Sequence, residues 1–516
     1  MTKDALLTEL FLNWSHIDRG GWQMTFDPNR LSDDGRRIME QDTRDWNWHY
    51  DFSGHGMKPE NVPYGVRVTV EPARKSQPWL VPDRPWEDPN LGWGTVIHEN
   101  GRYRCWYEFV LSKNVKLVRQ GELATTDGNH MLAYAESTDG LHWTKPSLGL
   151  CELNGSRDNN VVTAMSGGSP FRDDNAPPEQ RYKAFDFTRL PDAPESLSGP
   201  AKIGLMGMVS PDGIHWKHLE KPLFRYFHDT QNIGCWDPLL KKYVAYLRGH
   251  TSGRAIKYSV SDDFAAWPEP LDLFSPDAED EPSEDYYNNC FTFYPDLPTH
   301  QLFFISVYNH SSDTTYVRLA ANMNRHWKSP VFNWVSRAPI LPVGKAEEWD
   351  SGMVYAGPNL VHLPDGQLAL PYWGSRHTHN EYHWMYYGAN CAREKAALAW
   401  ALWDDGRLAG FEAGTMGEFV TGLWGAGVAF EGSQIEINAR TRRIGQVEVE
   451  LLEVKQGQPT QPIPGFTLAE CVPFRGDEIW APLCWKGKRD LSELKGRTLK
   501  LHFRLRHAKV FGFRFV

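Results

Sequence analysis

From about residue 80 onward, apolar and polar positions alternate in short runs bounded by turns, which is the period of half-buried strands rather than helices. A turn followed by a short alternating strand recurs five times: N-G-R-Y-R-C-W-Y around Tyr103, E-Q-R-Y-K-A-F around Tyr182, K-K-Y-V-A-Y around Tyr243, H-Q-L-F-F-I around Leu302 and G-Q-L-A-L-P-Y around Leu368. These anchors lie 79, 61, 59 and 66 residues apart. A seven-residue pattern keeps the same phase. It reads S-T-D-G-L-H-W at Ser137–Trp143 and S-P-D-G-I-H-W at Ser210–Trp216, with weaker copies at Ser261–Trp267, Ala321–Trp327 and Trp403–Ala409. Five units of roughly 60 residues with about four strands each predict a five-bladed β-propeller over residues 81–420.

Past residue 421 the runs Q-I-E-I-N-A, V-E-V-E-L-L-E-V, T-L-K-L-H-F-R-L and F-G-F-R-F alternate strictly, predicting an antiparallel β-sandwich over 421–516. Residues 1–80 are rich in turns and tryptophan and are expected to supply a closing strand and capping loops. The fold class expected is therefore all-β.

Composition agrees with that class. Of 516 residues, 22 are Trp, 20 Tyr and 25 Phe, alongside 44 Gly and 35 Pro, a balance that favours strands and turns. The formal charge of −10 argues against nucleic acid as a partner. No stretch reaches 18 apolar residues and the N-terminus does not read as a secretory leader, so a cytoplasmic protein with no membrane partner is expected. Seven scattered cysteines without C-x-x-C spacing suggest buried thiols, not a disulfide framework or a zinc ribbon. Nothing in the chain fixes an oligomeric state.

The seven-residue pattern is read as structural. Its Asp holds a turn through backbone N–H groups, its Gly permits positive φ and its Trp packs between neighbouring units, so Asp139, Asp212 and His142 are not offered as catalytic.

Candidate chemistry comes from another regularity. Some 14 to 24 residues before each anchor stands an acid in a polar turn: Glu87 and Asp88, Asp158, Asp229, Glu284 and Asp285, and Asp350. In a propeller the innermost strands converge on one funnel, so these acids would meet at its mouth. With Asn160, Asn232, Asn288, Trp93, Arg376 and His377 they would offer hydrogen bonds and a stacking face to a sugar. The three histidines of R-H-T-H-N-E-Y-H, Arg376–His383, could bind metal but are read as sugar-contacting or solvent-facing. Arg376 could pair with a uronate carboxylate.

W-E-D-P-N-L-G-W-G-T-V-I-H-E-N-G-R-Y-R-C-W-Y, Trp86–Tyr107, resembles the opening blade of glycoside hydrolase family 32, and F-R-D-D, Phe171–Asp174, resembles that family's F-R-D-P. Glu87 stands where the family has Asn, Leu91 where it has Gly, and Asp174 where it has Pro. The broader resemblance is to the five-bladed families 32, 43, 62 and 68, whose layout places three carboxylates around the funnel.

Carried over by motif, Asp88 is the nucleophile or base with Glu87 in reserve. The stabiliser is Asp229 by position, which is preferred, or Asp173 by local sequence; the proton donor is Glu284, because the adjacent Asp285 and burial beside Tyr286 and Tyr287 would raise its carboxyl, with Asp350 in reserve. The resemblance implies hydrolysis of a furanoside-type or uronide-containing glycan without a required cofactor, with a structural Ca²⁺ on the axis, near His228, as an option. A polysaccharide lyase using His377, His379 or a tyrosine with Arg376, and a non-catalytic carbohydrate-binding propeller, are the alternatives.

Overall fold

The computed structural model describes residues 5–18, 63–87, 91–111, 117–118, 130–189, 203–225, 229–251, 253–322, 332–381, 396–422, 427–455 and 460–516. Among the described residues nearly all regular structure is strand, and helix amounts to short 3-10 turns such as Trp14–His16 and the helical residues 379–381. Among the described residues no helix is long and apolar enough to cross a membrane.

The chain forms two compact units, one from residues 72–404 and the other from residues 1–71 with 405–516. These limits differ from the expected 1–80, 81–420 and 421–516 because strand pairing crosses both expected boundaries. Tyr64–Val70 and Ile17–Asp18 pair with Ala409–Thr421, and Leu7–Leu10 pairs with the C-terminal strand Thr498–Phe515. The N-terminal segment thus builds the same nine-stranded sheet as the C-terminal one. The core of that sheet runs from Phe11 and Ile17 through Phe411 and Phe419 to Phe503 and Phe515, all buried.

Residues 72–404 hold three separate four-stranded antiparallel sheets. The first is Leu91–Glu99, Arg102–Val110, His130–Ser137 and Val161–Ala164. The second is Phe171–Arg172, Tyr182–Arg189, Ile203–Ser210 and Lys217–Phe224. The third is Ile233–Asp237, Lys242–His250, Arg254–Ser261 and Leu271–Phe274. A ten-stranded sheet contains two more such runs, joined by a single parallel pair, Thr315 with Met353. One is centred on Leu297–Asn309 and Thr314–Asn322, the other on Leu368–Ser375 and Ala397–Trp403. The outer strand of the last run is Arg74–Lys75.

The S-x-D-G-x-H-W turns explain how neighbouring runs lock together. Asp139 Oδ1 accepts from the backbone N–H groups of Leu141 and His142 at 2.8 Å each, while Gly140 takes φ 74°. Asp212 repeats this on Ile214 and His215 at 2.8 Å, with Gly213 at φ 78°. Each turn then presents a carbonyl to two tryptophans, its own and one from the preceding run. Gly213 O accepts from Trp216 at 2.8 Å and from Trp106 of the first sheet at 2.6 Å. Gly140 O accepts from Trp143 at 3.0 Å and from Trp400 of the fifth run at 2.7 Å. The fifth run therefore stands to the first as the first stands to the second. Trp267 likewise packs against Phe185 and Phe224 of the second sheet. The copy at Ala321–Trp327 runs into residues outside the described ones.

First and fifth runs also approach at their inner strands, where a Cβ on Gly357 would come within 2.2 Å of the Gly94 carbonyl oxygen, so only glycine fits. Cys105, Cys151, Cys235, Cys290, Cys471 and Cys484 are free thiols, and burial pushes Cys151 and Cys471 up to about 11.

Candidate functional site

Antiparallel pairing brings two kinds of segment to one end of each run: the approach to the first strand, and the turn between the second and third. In the third sheet Ile233 is paired with Tyr246 and His250 with Arg254, so Asp229 shares an end with Arg248, His250 and Arg254. In the fourth run Glu284 is paired with Asn309, which sets Asp285 and Tyr287 beside Tyr308, His310 and Asp313. In the fifth, Met353 pairs with Ser375, which sets Tyr355 and Trp373 beside His377 and His379.

Side chains from these three ends meet. Arg254 donates from Nη1 to Asp285 Oδ2 at 2.9 Å across the third and fourth runs, with its guanidinium 4.9 Å from the Tyr287 ring and 5.6 Å from that of Tyr308. His310 Nε2 lies 3.0 Å from the same Asp285 Oδ2, and its ring is 4.3 Å from Tyr308. Arg248 Nη1 donates to Asp229 Oδ2 at 3.2 Å and also to the Asp229 carbonyl. From the fifth run, His379 Nδ1 is 2.9 Å from Tyr355 OH, and its ring sits 5.0 Å from Tyr287 and 4.6 Å from Tyr308. Asp313 fastens the loop that carries His379, accepting from Thr378 Oγ1 at 2.5 Å, Asn380 N at 2.9 Å and Tyr308 OH at 2.8 Å. Trp373 stacks on Tyr355 at 4.6 Å.

Burial and charge sort the titratable groups. Burial lowers His250, and the nearby Arg248 and Arg254 guanidinium groups lower it further, so its imidazole is neutral at pH 7. Burial, reinforced by the Asp229 charge, pushes Tyr287 up to about 12. Burial also raises Tyr308, with Asp313 adding to it, and raises Tyr355. These phenols are therefore hydrogen-bonding groups, not bases. Burial opposes the charge on Arg254, but Asp285 and Tyr287 outweigh it and hold the guanidinium charged. Burial likewise opposes Arg248, and there it prevails over the attraction of Asp229. Asp229 has a side chain 56% exposed, against 7% for Asp285. Asp285 Oδ1, Arg254 Nε and His377 Nε2 are buried and meet no hydrogen-bond partner among the described residues.

The residues expected from sequence divide sharply. Asp229 and Asp285 come together, both acting on Tyr287 and His250, and His377 lies at the same end in the fifth run. Glu284 turns the other way and is buried against Arg318, whose Nη2 donates to Oε2 at 3.0 Å, and Tyr316. Glu87 is fully buried, accepting from Tyr107 OH at 2.5 Å and Lys145 Nζ at 2.7 Å. Asp173 is fully buried between the second and third sheets. Although burial would raise it, Tyr243, the Asn175 N–H and Lys183 hold its carboxyl low. Asp350 is buried on Lys75 at 2.7 Å and Tyr372 at 3.0 Å.

The amides mostly serve the backbone: Asn160 donates to the Tyr134 carbonyl, Asn232 to that of Thr230 and Asn288 to that of Ala356. Asp158 is exposed, Trp93 packs on the core of the first sheet, and Arg376 donates to the Glu347 carbonyl. Asp88, His228 and His383 lie outside the described residues.

Sequence reading missed Arg248, His250, Arg254, His310 and Asp313. The signal was present in R-G-H-T-S-G-R, Arg248–Arg254, and Y-N-H-S-S-D, Tyr308–Asp313, the hairpins that return to the end where the acids begin. Among the described residues no group of three or more His, Cys, Asp or Glu is arranged to hold a metal ion, and the polar groups Thr95, Ser169 and Gln231 at neighbouring strand starts bond to one another.

No protein-family model and no curated protein matches the chain. Similar solved structures include glycoside hydrolases and a β-1,2-mannobiose phosphorylase from Listeria innocua, all at low identity. One, described as a glycoside hydrolase, is 14% identical over 72% of this chain and 96% of its own, with a TM-score of 0.41. A glycosyl hydrolase from Bacteroides ovatus is 13% identical over 66% of this chain and 94% of its own, with a TM-score of 0.43. An endo-arabinase from Bacteroides thetaiotaomicron is 10% identical over 64% of this chain and 99% of its own, with a TM-score of 0.38.

Proposed function

We propose that residues 72–404 are a five-bladed β-propeller that hydrolyses a glycosidic bond in a small or partly degraded glycan, of furanoside type or containing a uronide. The five successive four-stranded runs support the propeller, as does the repeated tryptophan contact that relates the fifth run to the first. The nine-stranded sheet, whose long strands shift register between Thr441 and Gln446 and between Ala413 and Gly417, is read as a sandwich folded around its own core and serving as support.

The observation that carries the reading is the convergence of Asp229 and Asp285, from consecutive runs, on the same tyrosine and histidine, walled by Tyr308, Tyr355 and Trp373. Hydrolysis needs one group to activate water or attack the anomeric carbon and another to protonate the departing oxygen. Asp229, exposed and held by Arg248, suits the first task. The motif resemblance gives that first task to Asp88, which lies outside the described residues, and the stabilising one to Asp229. The aromatic rings offer faces for the C–H side of a sugar, and Arg254 supplies a fixed positive charge that suits a uronate.

Incubation with a panel of furanoside and uronide oligosaccharides tests this. Products carrying the elements of water support hydrolysis, an unsaturated product absorbing in the near ultraviolet replaces it with elimination, and binding without turnover replaces it with recognition alone.

A further inference from the structure

Resting on that reading, we propose that the proton donor of the site is a histidine, His310, held in orientation by Asp285. The carboxylate expected for the task, Glu284, is enclosed by Arg318 and Tyr316 on the opposite face of its strand. Asp285 does lie at the site, but its Oδ2 is engaged by Arg254 at 2.9 Å and by His310 at 3.0 Å, and its side chain is only 7% exposed. Burial, with the charges of Arg248 and Arg254, lowers His250 and disfavours the imidazolium a proton donor needs. Tyr287 and Tyr308 are raised far above neutral. Asp313 is held low, against burial, by Thr378, Tyr308 and the Asn380 N–H.

His310 differs from all of these in being 51% exposed while one ring nitrogen is fixed. With Nε2–H donating to Asp285 Oδ2, Nδ1 is left to face a substrate, and packing against Tyr308 at 4.3 Å sets the plane of the ring. Asp285 is then a positioning residue: it holds the ring nitrogen and with it the tautomer and orientation of the imidazole.

The step balances without a further reagent. The imidazolium passes its Nδ1 proton to the glycosidic oxygen as the bond from that oxygen to the anomeric carbon breaks, the electron pair staying on oxygen. Water adds to the anomeric carbon and gives a proton to Asp229, and solvent returns both groups to their starting states.

Departing groups that need no proton separate this role from a structural one. The wild type and His310→Gln are compared on furanosyl and uronosyl oligosaccharides and on the 2,4-dinitrophenyl glycosides of the same sugars. The variant is expected to lose about 10²- to 10⁴-fold in kcat/KM on the oligosaccharide and to stay within about tenfold on the dinitrophenyl glycoside. Asp285→Asn should show the same split in weaker form. Equal losses on both substrates, or none, overturn the proposal. His310→Asn replaces the Gln variant if that one melts early. A wild type that hydrolyses neither substrate refutes the hydrolase reading itself and removes the proposal with it.

Discussion

Glu284 and Asp285 are adjacent in one strand and serve opposite faces of it: Glu284 pairs with Arg318 of its own run, and Asp285 pairs with Arg254 of the preceding sheet. Successive side chains of a strand alternate, so one residue decides whether a carboxylate lies in an ion cluster or at the site. Arg318 is itself 9% exposed and shared with Asp280. Removing the Glu284 charge leaves a buried guanidinium short of a partner, for which about 3 kcal/mol of lost stability is expected. Glu284→Gln should therefore melt earlier yet turn over normally per folded molecule, while Asp285→Asn, which takes the carboxylate from Arg254, should also melt earlier but lose turnover per folded molecule. Chemical denaturation paired with active-fraction-corrected rates distinguishes the two, and the reverse pattern would restore Glu284 as the acid.

Asp229 allows a cleaner separation of stability from activity. Its side chain is 56% exposed, and Arg248 also holds the Asp229 backbone carbonyl, so the loop stays anchored when the charge goes. Asp229→Asn should change stability by less than about 1 kcal/mol, the usual range for an exposed site. Turnover of a hydrolysable glycan should fall about 10³-fold or more, since a base or nucleophile is lost. The same loss of turnover is expected for Asp88→Asn on the motif resemblance. Full activity in both would move the chemistry elsewhere.

How far the sequence discloses such a site depends on the range of the interaction involved. The Asp139 and Asp212 turns were legible because their bonds close within three residues and need nothing distant. The acids before each strand were legible as a set, because period and turn chemistry mark where strands begin. Their directions were not: Glu87, Asp173 and Asp350 each meet a lysine, and the partners Lys145, Lys183 and Lys75 lie 58, 10 and 275 residues away. Arg254 and His310 escaped notice because hairpin turns look like solvent-facing connections until pairing shows which sheet end they share. The pairing of Tyr64–Val70 was hidden for the same reason, since its partner strand comes more than 300 residues later.

The structural reading of the S-x-D-G-x-H-W turns has its own test. Asp212 is lowered to about 2: burial works against ionisation, but the backbone N–H and ring of His215 and the N–H of Ile214 outweigh it. A depressed carboxyl adds stability that is present above its unfolded value, roughly 3.9, and lost as pH falls toward 2. The side chain is 46% exposed, so solvent screening keeps the effect small. Asp212→Ala should lower stability by about 1 kcal/mol through the lost turn bonds and Asp212→Asn by less, because its amide oxygen still accepts. The gap between wild type and Asp212→Asn should stay flat from pH 5 to 8 and close below about pH 4, with turnover unchanged throughout. Loss of turnover at intact stability would make the turn catalytic.

A last expectation concerns two buried carboxylates that the proposed chemistry leaves unused. Glu108 of the first sheet accepts from Gly167 N at 2.7 Å and lies 2.6 Å from His130 Nδ1, while Asp186 of the second accepts from Ser166 N at 3.0 Å and lies 2.8 Å from His218 Nε2. Burial raises the Asp186 carboxyl, His218 and the Ser166 N–H pull against it, and Glu108 adds to the rise. A raised carboxyl contributes stability that is complete below its unfolded value, roughly 3.9, and is lost as pH climbs through the folded value. Asp186→Asn keeps an acceptor for Ser166 and cannot ionise. Its denaturation midpoint should therefore gain on that of the wild type as pH rises from 4.5 to 7.5, and the gain should persist in a His218→Gln background, where the histidine's own titration is gone. A wild type that gains on the variant over that range would show that His218 and the backbone amide, not burial, govern the Asp186 carboxyl.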